Sequence, residues 1–253
     1  MANFDTIAYR RQESIARITL NRPSAMNVYS IRMRDELFEV LEAIRTDQEI
    51  RAVVVDGAGE KAFCAGADLS EFLTAASPNE ARLTRNERDI WSLFLQIRQP
   101  VIAALHGYVI GSGIEIAMCC DIRLASDDVR FRLPEPSLGI LPGAGGTQTL
   151  PRAVGRGAAL DMLMTNRWVD ASEARRIGLV NRVVPRAMLL PATFAIAEQI
   201  AARDARAVRL AKQAATRGLD LPLSEGLDLE RKLARLLYHQ RARNVDRDEF
   251  KRG

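Results

Sequence analysis

The hydrophobic and polar positions in the first half of the chain follow two alternating patterns. Short apolar runs closed by glycine, AVVVDG and VIAALHG, are typical of strands buried on both faces. The segment DELFEVLEAIR and a polar stretch ending near Ile97 have the spacing of helices, whereas ARITL and DIRLAS are strand-like. We therefore predict an α/β fold whose ligands bind in loops beyond the carboxyl ends of the strands.

Helical patterns dominate from Gly143 onward, through segments such as GAALDMLMTN and LLPATFAIAEQIAARD. Ser30 is the predicted N-cap of a helix that starts near Ile31, and Ser172 is predicted to open a later helix that Gly178 ends. No stretch rich in Pro, Gly or Ser separates the two halves of the chain. The sequence therefore predicts one continuous fold with two sub-regions.

Composition excludes several classes of protein. The chain has 253 residues, of which 47% are hydrophobic and 27% are charged, as in an ordinary globular protein. Its three cysteines include the adjacent pair Cys119 and Cys120, which is a poor disulfide framework and favours a reducing compartment. The two histidines, His106 and His239, lack metal-ligand spacing, so no metal site is expected. The N-terminus lacks the features of a secretory signal and no apolar run is long enough to cross a bilayer, so we predict a cytoplasmic protein.

The basic charge balance raises the question of an anionic partner. The formal net charge is +4 and the isoelectric point is near 9.2, with the densest group of arginines in the C-terminal tail. Acidic residues are interspersed there, which favours a solvated helix face. Scattered arginines without an aromatic stacking platform make RNA binding the weaker of two functional hypotheses, and nucleic acid is not an expected partner.

Two predicted loops have small residues that can leave backbone N–H groups facing a ligand. In AFCAGADLSEF, Ala67 lies just before a predicted helix start, and in HGYVIGSGIE, Ser112 precedes the helix that carries Glu115. Backbone donors at such turns can bind a developing negative oxygen. Each motif alone is also typical of a tight turn whose capping carboxylate is Asp68 or Glu115. The two together favour a pair of donors for one carbonyl.

Two glutamates are the candidate acid and base. Glu135 lies between Pro134 and Pro136, which restrict the backbone and can hold the carboxylate in one direction, although an exposed Pro-rich loop remains the alternative. The following GAGGT lacks the spacing and the lysine of a nucleotide-binding P-loop. Glu115 and Glu135 facing one substrate could hold a water and exchange a proton, as addition of water to an activated double bond requires. One carboxylate alone would indicate isomerisation.

Five segments, over about residues 15 to 185, resemble the crotonase superfamily of enoyl-CoA hydratases and isomerases in order and spacing: LNRPSAMNVYS, AFCAGADLSEF, HGYVIGSGIEIAMCCDIRLAS, FRLPEPSLGILPGAGGTQTLPRAVG and WVDASEARRIGLVNRVV. The resemblance implies a crotonase-like spiral of ββα units over residues 1–190 and a helical C-terminal trimerisation region over residues 191–253. It also implies a CoA thioester as substrate, no permanently bound cofactor, and a homotrimer or a homohexamer built as a dimer of trimers.

The resemblance also implies roles for individual residues. The N–H groups of Ala67 and Ser112 would form the oxyanion hole, Glu115 would activate water, and Glu135 would exchange the α-carbon proton. Because both glutamates are kept, an enoyl-CoA hydratase is favoured, with an isomerase or a specialised 3-hydroxyacyl-CoA dehydratase as alternatives. The expected substrate-binding residues are Ala25, Met26, Ala65, Asp68 and Leu69 along the CoA channel, Ile110, Pro134, Leu138 and Gly143 at the acyl end, and Gly66 and Gly111.

Three departures from the family pattern carry further expectations. Tyr29 replaces a smaller aliphatic residue, and we expect its ring to pack in the core. His106 is expected to be a structural hydrogen-bonding residue rather than a base. The tail after Leu237 is polar and is expected to lack the apolar last helix typical of hydratases.

Overall fold

The strands form two sheets in the computed structural model, which describes residues 4–74 and 88–250. The larger sheet is parallel except for its first pair, β1 and β2. In spatial order its strands are β1 (Ile7–Gln12), β2 (Ile15–Leu20), β3 (Ala52–Gly57), β5 (Val101–Leu105), β7 (Ile122–Ser126) and β10 (Arg182–Val184). The smaller sheet contains β4 (Ala62–Cys64), β6 (Tyr108–Ile110), β8 (Arg130–Arg132) and the antiparallel β9 (Val169–Asp170).

The chain alternates between these sheets. Each of the pairs β3 and β4, β5 and β6, and β7 and β8 places its first strand in the larger sheet and its second strand in the smaller one. Helical segments return the chain to the start of the next pair. The predicted α/β spiral of ββα units is therefore confirmed. Because β4, β6 and β8 are parallel neighbours, their carboxyl ends meet at one edge of the smaller sheet.

The helices largely follow the predicted pattern. Their bounds are α1 (Ile31–Thr46), α2 (Leu69–Thr74), α3 (Ile90–Gln96), α4 (Ser112–Met118), α5 (Gly146–Val154), α6 (Arg156–Thr165), α7 (Ala171–Arg176), α8 (Leu189–Ala201), α9 (Ala205–Gly218) and α10 (Leu223–Phe250). The Ser30 side chain accepts the Met33 N–H at 3.1 Å, so the predicted cap of α1 is confirmed. No helix in the described residues is long and apolar enough to cross a membrane.

The predicted start of α7 is wrong by two residues. The Asp170 carboxylate accepts the Glu173 N–H at 2.9 Å and caps the helix, whereas Ser172 already lies in its first turn. Aspartate and serine cap helices about equally well, so the choice between them depends on where the extended backbone ends. Asp170 is the extended residue, with φ −87° and ψ 178°. The prediction that Gly178 follows the helix end agrees with the structure, in which α7 stops at Arg176.

Buried side chains form two clusters on the two faces of the larger sheet. One includes Ile18, Leu37, Phe63 and Phe94, and the other lies beneath α8, where Ile196 packs near Val54, Ile102 and Leu124. The division expected after residue 190 falls within α8, which covers this second face. The tail after Leu237, expected to lack an apolar last helix, continues as helix α10 to Phe250 with a largely polar sequence.

Two of the noted departures lie in the core. Tyr29 is buried, with its ring centroid 5.4 Å from that of Trp91, as expected for packing. His106 is also buried, and its carbonyl accepts the Phe63 N–H at 2.9 Å. Its Nε2 atom, however, has no hydrogen-bond partner in the described part of the chain. The prediction of a structural hydrogen-bonding side chain is therefore wrong for that nitrogen, which is buried away from water without a partner in the described residues.

Candidate active site

The turn after β4 and the turn after β6 are in backbone contact. The strands are parallel neighbours in which Cys64 pairs with Val109, so the chain leaves both at the same edge. Gly66 has φ +103°, and a Cβ added to it would lie 3.4 Å from the Ile110 carbonyl oxygen. The added Cβ would make an ordinary contact at that distance, so it is the positive φ that requires glycine at position 66.

Both predicted oxyanion donors have an N–H group that is directed away from the local backbone pairing. Tyr29 donates to the Gly66 carbonyl and accepts from the Asp68 N–H, both at 2.8 Å, so Ala67 between them directs its own N–H to the other side. Ser112 is the first residue of α4, where the N–H has no acceptor within the helix. Within residues 4–74 and 88–250, neither N–H donates to a protein group.

Glu135 lies directly over these turns. Gly111 has φ +50°, and a Cβ added there would lie 2.6 Å from Glu135 Oε1 and 3.8 Å from the Gly66 Cα. The other carboxyl oxygen, Oε2, is buried and has no hydrogen-bond partner among the described residues. Burial raises the pKa of the Glu135 carboxyl to about 7, and the nearby Glu115 charge adds to the rise.

Glu115 has a different environment. It is 3% exposed, and its Oε1 accepts the N–H of Ala144 at 2.9 Å and that of Gly146 at 3.1 Å. Its carboxylate therefore bonds to the turn before α5 rather than capping its own helix. Hydrogen bonds from two backbone donors stabilise the ionised form of a buried carboxylate. A Cβ on Gly146, the first residue of α5, would lie 3.0 Å from the same oxygen and 2.8 Å from the Pro142 Cβ, so a side chain there would force these neighbours to shift.

The residues predicted for the CoA channel lie together beside the β4 turn. The Ala65 N–H donates to the Met26 carbonyl at 3.0 Å, and the side chains of Met26 and Leu69 are exposed. Arg22 links the two segments, because its guanidinium binds the Val28 carbonyl and the Asp68 carboxylate. Ala25, in the same short loop as Met26, is partly buried. The channel set is therefore brought together around an ion pair.

The residues predicted for the acyl end are brought together only in part. Ile110 and Pro134 are partly buried and lie next in sequence to Gly111 and Glu135, respectively. Leu138 and Gly143 lie on the exposed side of the loop that joins Glu135 to α5. The structure therefore places Ile110 and Pro134 beside the site and leaves Leu138 and Gly143 at the surface.

Comparison with known proteins identifies the family to which this fold and site belong. The family model described as enoyl-CoA hydratase/isomerase matches residues 10–251. The chain belongs to the enoyl-CoA hydratase/isomerase family. A probable enoyl-CoA hydratase of Mycobacterium bovis is 40% identical over 248 residues, which cover 97% of this chain and 93% of that relative. A crotonyl-CoA hydratase of Syntrophomonas wolfei is 39% identical over 226 residues, covering 89% of this chain and 87% of that protein.

Solved structures of the family share the fold. The crystal structure of an enoyl-CoA hydratase from Bacillus anthracis has a TM-score of 0.91 and 37% sequence identity, and the match covers 98% of this chain and 96% of that chain. The mixed α/β architecture predicted from the resemblance is thus that of enoyl-CoA hydratases. The described residues contain no group of His, Cys, Asp or Glu side chains arranged to hold a metal ion.

Sequence reasoning missed two parts of this enoyl-CoA hydratase/isomerase family site. One is the pair of backbone donors at Ala144 and Gly146, for which the glycine-rich GAGGT was the only available signal. The other is Asn27, whose buried amide accepts the Arg22 N–H and donates to the Ala58 and Ala62 carbonyls. An asparagine that ties a loop to a strand end in this way fixes the position of the neighbouring turn.

Proposed function

We propose that this protein is an enoyl-CoA hydratase, which reversibly adds water to the double bond of a 2-enoyl-CoA thioester. The observation that carries the proposal is the meeting of Glu115 and Glu135, from separate elements, beside the turns of Ala67 and Ser112. Relatives that cover most of the chain and are named as hydratases support the same reaction. The substrate supplies its own CoA, and no bound cofactor is part of the mechanism.

The two backbone donors stabilise the charge that develops during the reaction. The thioester oxygen accepts the N–H groups of Ala67 and Ser112, neither of which donates to another group in the described part of the chain. As water attacks the β-carbon, electrons move to this oxygen and form an enolate. Removing one donor of such a hole costs about 3 to 4 kcal/mol in transition-state stabilisation. The hole therefore supplies a large share of the catalysis.

The two glutamates divide the proton transfers. Glu115, held by two backbone donors, is the ionised base that takes a proton from the attacking water as oxygen bonds to the β-carbon. Glu135, with an unpartnered buried oxygen and a pKa raised to about 7, carries the proton that is delivered to the α-carbon. The electron pair of the enolate forms the new α-carbon to hydrogen bond, which completes the addition. Elimination of water from a 3-hydroxyacyl-CoA is the reverse path.

The assembly we propose is a homotrimer or a homohexamer built as a dimer of trimers. Helix α9 has no fully buried residue, and Leu233 is the buried residue of α10 among its described side chains. Leucines of α10 are exposed in the single chain, including Leu223, Leu227 and Leu236, and so is Leu219, which follows α9. Leu223 and Leu227 lie one turn apart on α10, and exposed apolar side chains on one helix face favour an interface. We further place the enzyme in the cytoplasm, since its three cysteines are free thiols.

The test of the function measures loss of enoyl thioester absorbance by the wild type, Glu115→Ala and Glu135→Ala. Hydration should fall by at least about a hundredfold in both variants, because each transfers one of the two protons. The control is Glu60→Ala, which removes an exposed glutamate outside the site and should leave the rate unchanged. Double-bond isomerisation that survives Glu115→Ala, without measurable hydration by the wild type, would replace this proposal with an isomerase.

A further inference from the structure

One asparagine bridges both ends of the segment that carries Glu135. Asn166 Oδ1 accepts the Arg132 Nε–H at 2.7 Å, and Asn166 Nδ2 donates to Ser137 Oγ at 2.7 Å. Arg132 precedes Glu135 by three residues and Ser137 follows it by two. The side chain of Asn166, at the end of α6, therefore closes a bridge across the whole of this short segment.

The backbone at Asn166 explains which residue types fit there. Its φ of 54° and ψ of 30° lie in the left-handed region, which glycine and asparagine adopt most readily. Glycine would satisfy the backbone equally well but would make no side-chain bond. Asn166 uses its carbonyl as well, which accepts the same Arg132 Nε–H at 2.9 Å. Asn166 therefore ends helix α6 and also links Arg132 to Ser137.

Each end of the bridge is anchored to a part of the proposed active site. The Arg132 carbonyl accepts the Gly111 N–H at 3.0 Å, and its guanidinium lies 5.1 Å from the Trp168 ring centroid. At the other end, Ser137 Oγ donates to the Pro134 carbonyl at 2.7 Å, which closes the turn around Glu135. The bridge thus connects the turn beneath the Glu135 carboxyl to the turn that carries it.

We propose that Asn166 is a positioning residue that holds the Glu135 carboxyl over Gly111 for proton transfer to the substrate. The proposal rests on the hydratase function proposed above. Asn166 acts through Arg132 and Ser137 and does not itself contact the reacting atoms. Without the bridge, the exposed turn that begins at Glu135 opens toward water, so the carboxyl leaves its position and regains solvation.

The experiment compares wild type with Asn166→Gly in hydration assays across pH and in thermal unfolding. The variant keeps the backbone geometry and removes the bridge, so kcat should fall about tenfold, since small misplacements of a reacting group have effects of this order or more. KM should change less than about twofold, because the CoA channel is not touched. The pH at which activity is lost should move toward that of an ordinary glutamate.

Two further variants make the test specific. Glu13→Gly is the matched control, because Glu13 also has positive φ, at 52°, on an exposed turn far along the chain from the site. It should leave kcat and the pH profile unchanged. Ser137→Ala removes the acceptor at the other end of the bridge. If the bridge acts as a unit, the double variant with Asn166→Gly and Ser137→Ala should lose no more activity than the more damaging of the two single variants.

The possible failures are distinguishable. If wild type shows no hydration, the proposed function is wrong and is recognised as such before any variant is made. If wild type is active and Asn166→Gly keeps its kcat and pH profile, the positioning role is wrong. A fall in kcat that follows a lower melting temperature, with the pH profile unmoved, would assign Asn166 a merely structural role and would overturn the inference as well. Should Asn166→Gly fail to fold, an unchanged pH profile in Ser137→Ala overturns it.

Discussion

At the scale of single residues, two glutamates of the same intrinsic acidity have been given opposite environments. Glu115 accepts two backbone N–H groups, whereas one oxygen of Glu135 is buried without a partner in the described residues. Hydrogen bonding favours a charged carboxylate and burial alone disfavours it. The proposed base and acid are therefore distinguished by their surroundings and not by their side chains.

The first prediction concerns the pH dependence of the reaction. Glu135 donates a proton in hydration, so kcat/KM for hydration should fall as pH rises through about 7, the value to which burial raises the Glu135 pKa. Dehydration needs the ionised form and should fall as pH drops through the same range. Rates in both directions between pH 5 and 9 would test this. Hydration that keeps rising to pH 9 would contradict the assignment of the acid.

The raised pKa of Glu135 also predicts that the stability of the protein depends on pH. A carboxyl whose pKa is raised by folding favours the folded state while it is protonated, and this contribution is lost as pH rises from about 4.5 to about 7. Glu135→Gln cannot ionise, so at pH 8 its free energy of unfolding should exceed that of wild type by about 1 to 2 kcal/mol, allowing for solvent screening. The measurement is urea unfolding of both proteins at pH 5 and pH 8. An equal difference in the free energy of unfolding between variant and wild type at the two pH values would refute the prediction.

A functional residue could be identified from the sequence only where its neighbours along the chain mark it. The prolines around Glu135 and the small residues before Glu115 mark both glutamates in the linear chain. The partners of Glu115 are backbone N–H groups about thirty residues away, which leave no side-chain signature. The prediction that Ser172 opens α7 is wrong because Asp170 is an equally good cap, and only the observed backbone separates the two.

At the scale of secondary-structure elements, length decided what was predictable. Strands β3 and β5 and helix α1 carry a full pattern in their own residues, and their positions were predicted. The three-residue strands β6 and β8 are too short to show a period, and they exist because distant strands pair with them. These short strands nonetheless position the turns of the site, so the geometry of the site could not come from local pattern alone.

The third prediction belongs to the turn between β6 and α4. In Gly111→Ala the added methyl carbon would lie 2.6 Å from Glu135 Oε1, and the side chain would strain a backbone with φ +50°. Hydration should therefore fall by more than about a hundredfold. The matched control is Gly155→Ala, where φ is +79° and no atom lies within 4 Å of the added carbon. Both variants should lose about 1 to 3 kcal/mol of stability from strain.

Assays of the two glycine variants after thermal unfolding measurements separate strain from displacement of the carboxyl. An equal loss of activity in Gly155→Ala would show that strain alone accounts for the effect, and the close approach of Gly111 to Glu135 would then have no catalytic meaning.

At the scale of the whole molecule, the two-sheet spiral followed from resemblance to a known family more than from the pattern of residues. The alternation of strands and helices indicated α/β, but it did not indicate that successive strands enter different sheets. That division depends on pairing between strands far apart in sequence, such as β2 with β3. Local propensity does not encode such pairings, whereas a family pattern carries them implicitly.

The fourth prediction concerns assembly. Leu223 and Leu227 are exposed and lie one turn apart on α10, so they share a face. The double substitution of both leucines by glutamate should convert a trimer or hexamer of the 28.1 kDa chain into monomers, measured by sedimentation equilibrium. Met164→Glu, at an exposed methionine on α6, is the control and should leave the mass unchanged. A wild-type mass of one chain would reject the proposed trimer.

The three buried thiols of the core have a practical consequence. Cys64, Cys119 and Cys120 are all buried, and burial raises the pKa of Cys64 and of Cys120 to about 12. Iodoacetamide at pH 8 should therefore leave the native protein unmodified, and it should add three carbamidomethyl groups once urea exposes the interior. The rate at which these mass increments accumulate in native buffer then reports how often the interior opens. The natural cysteines thus provide an intrinsic measure of conformational opening without any introduced label.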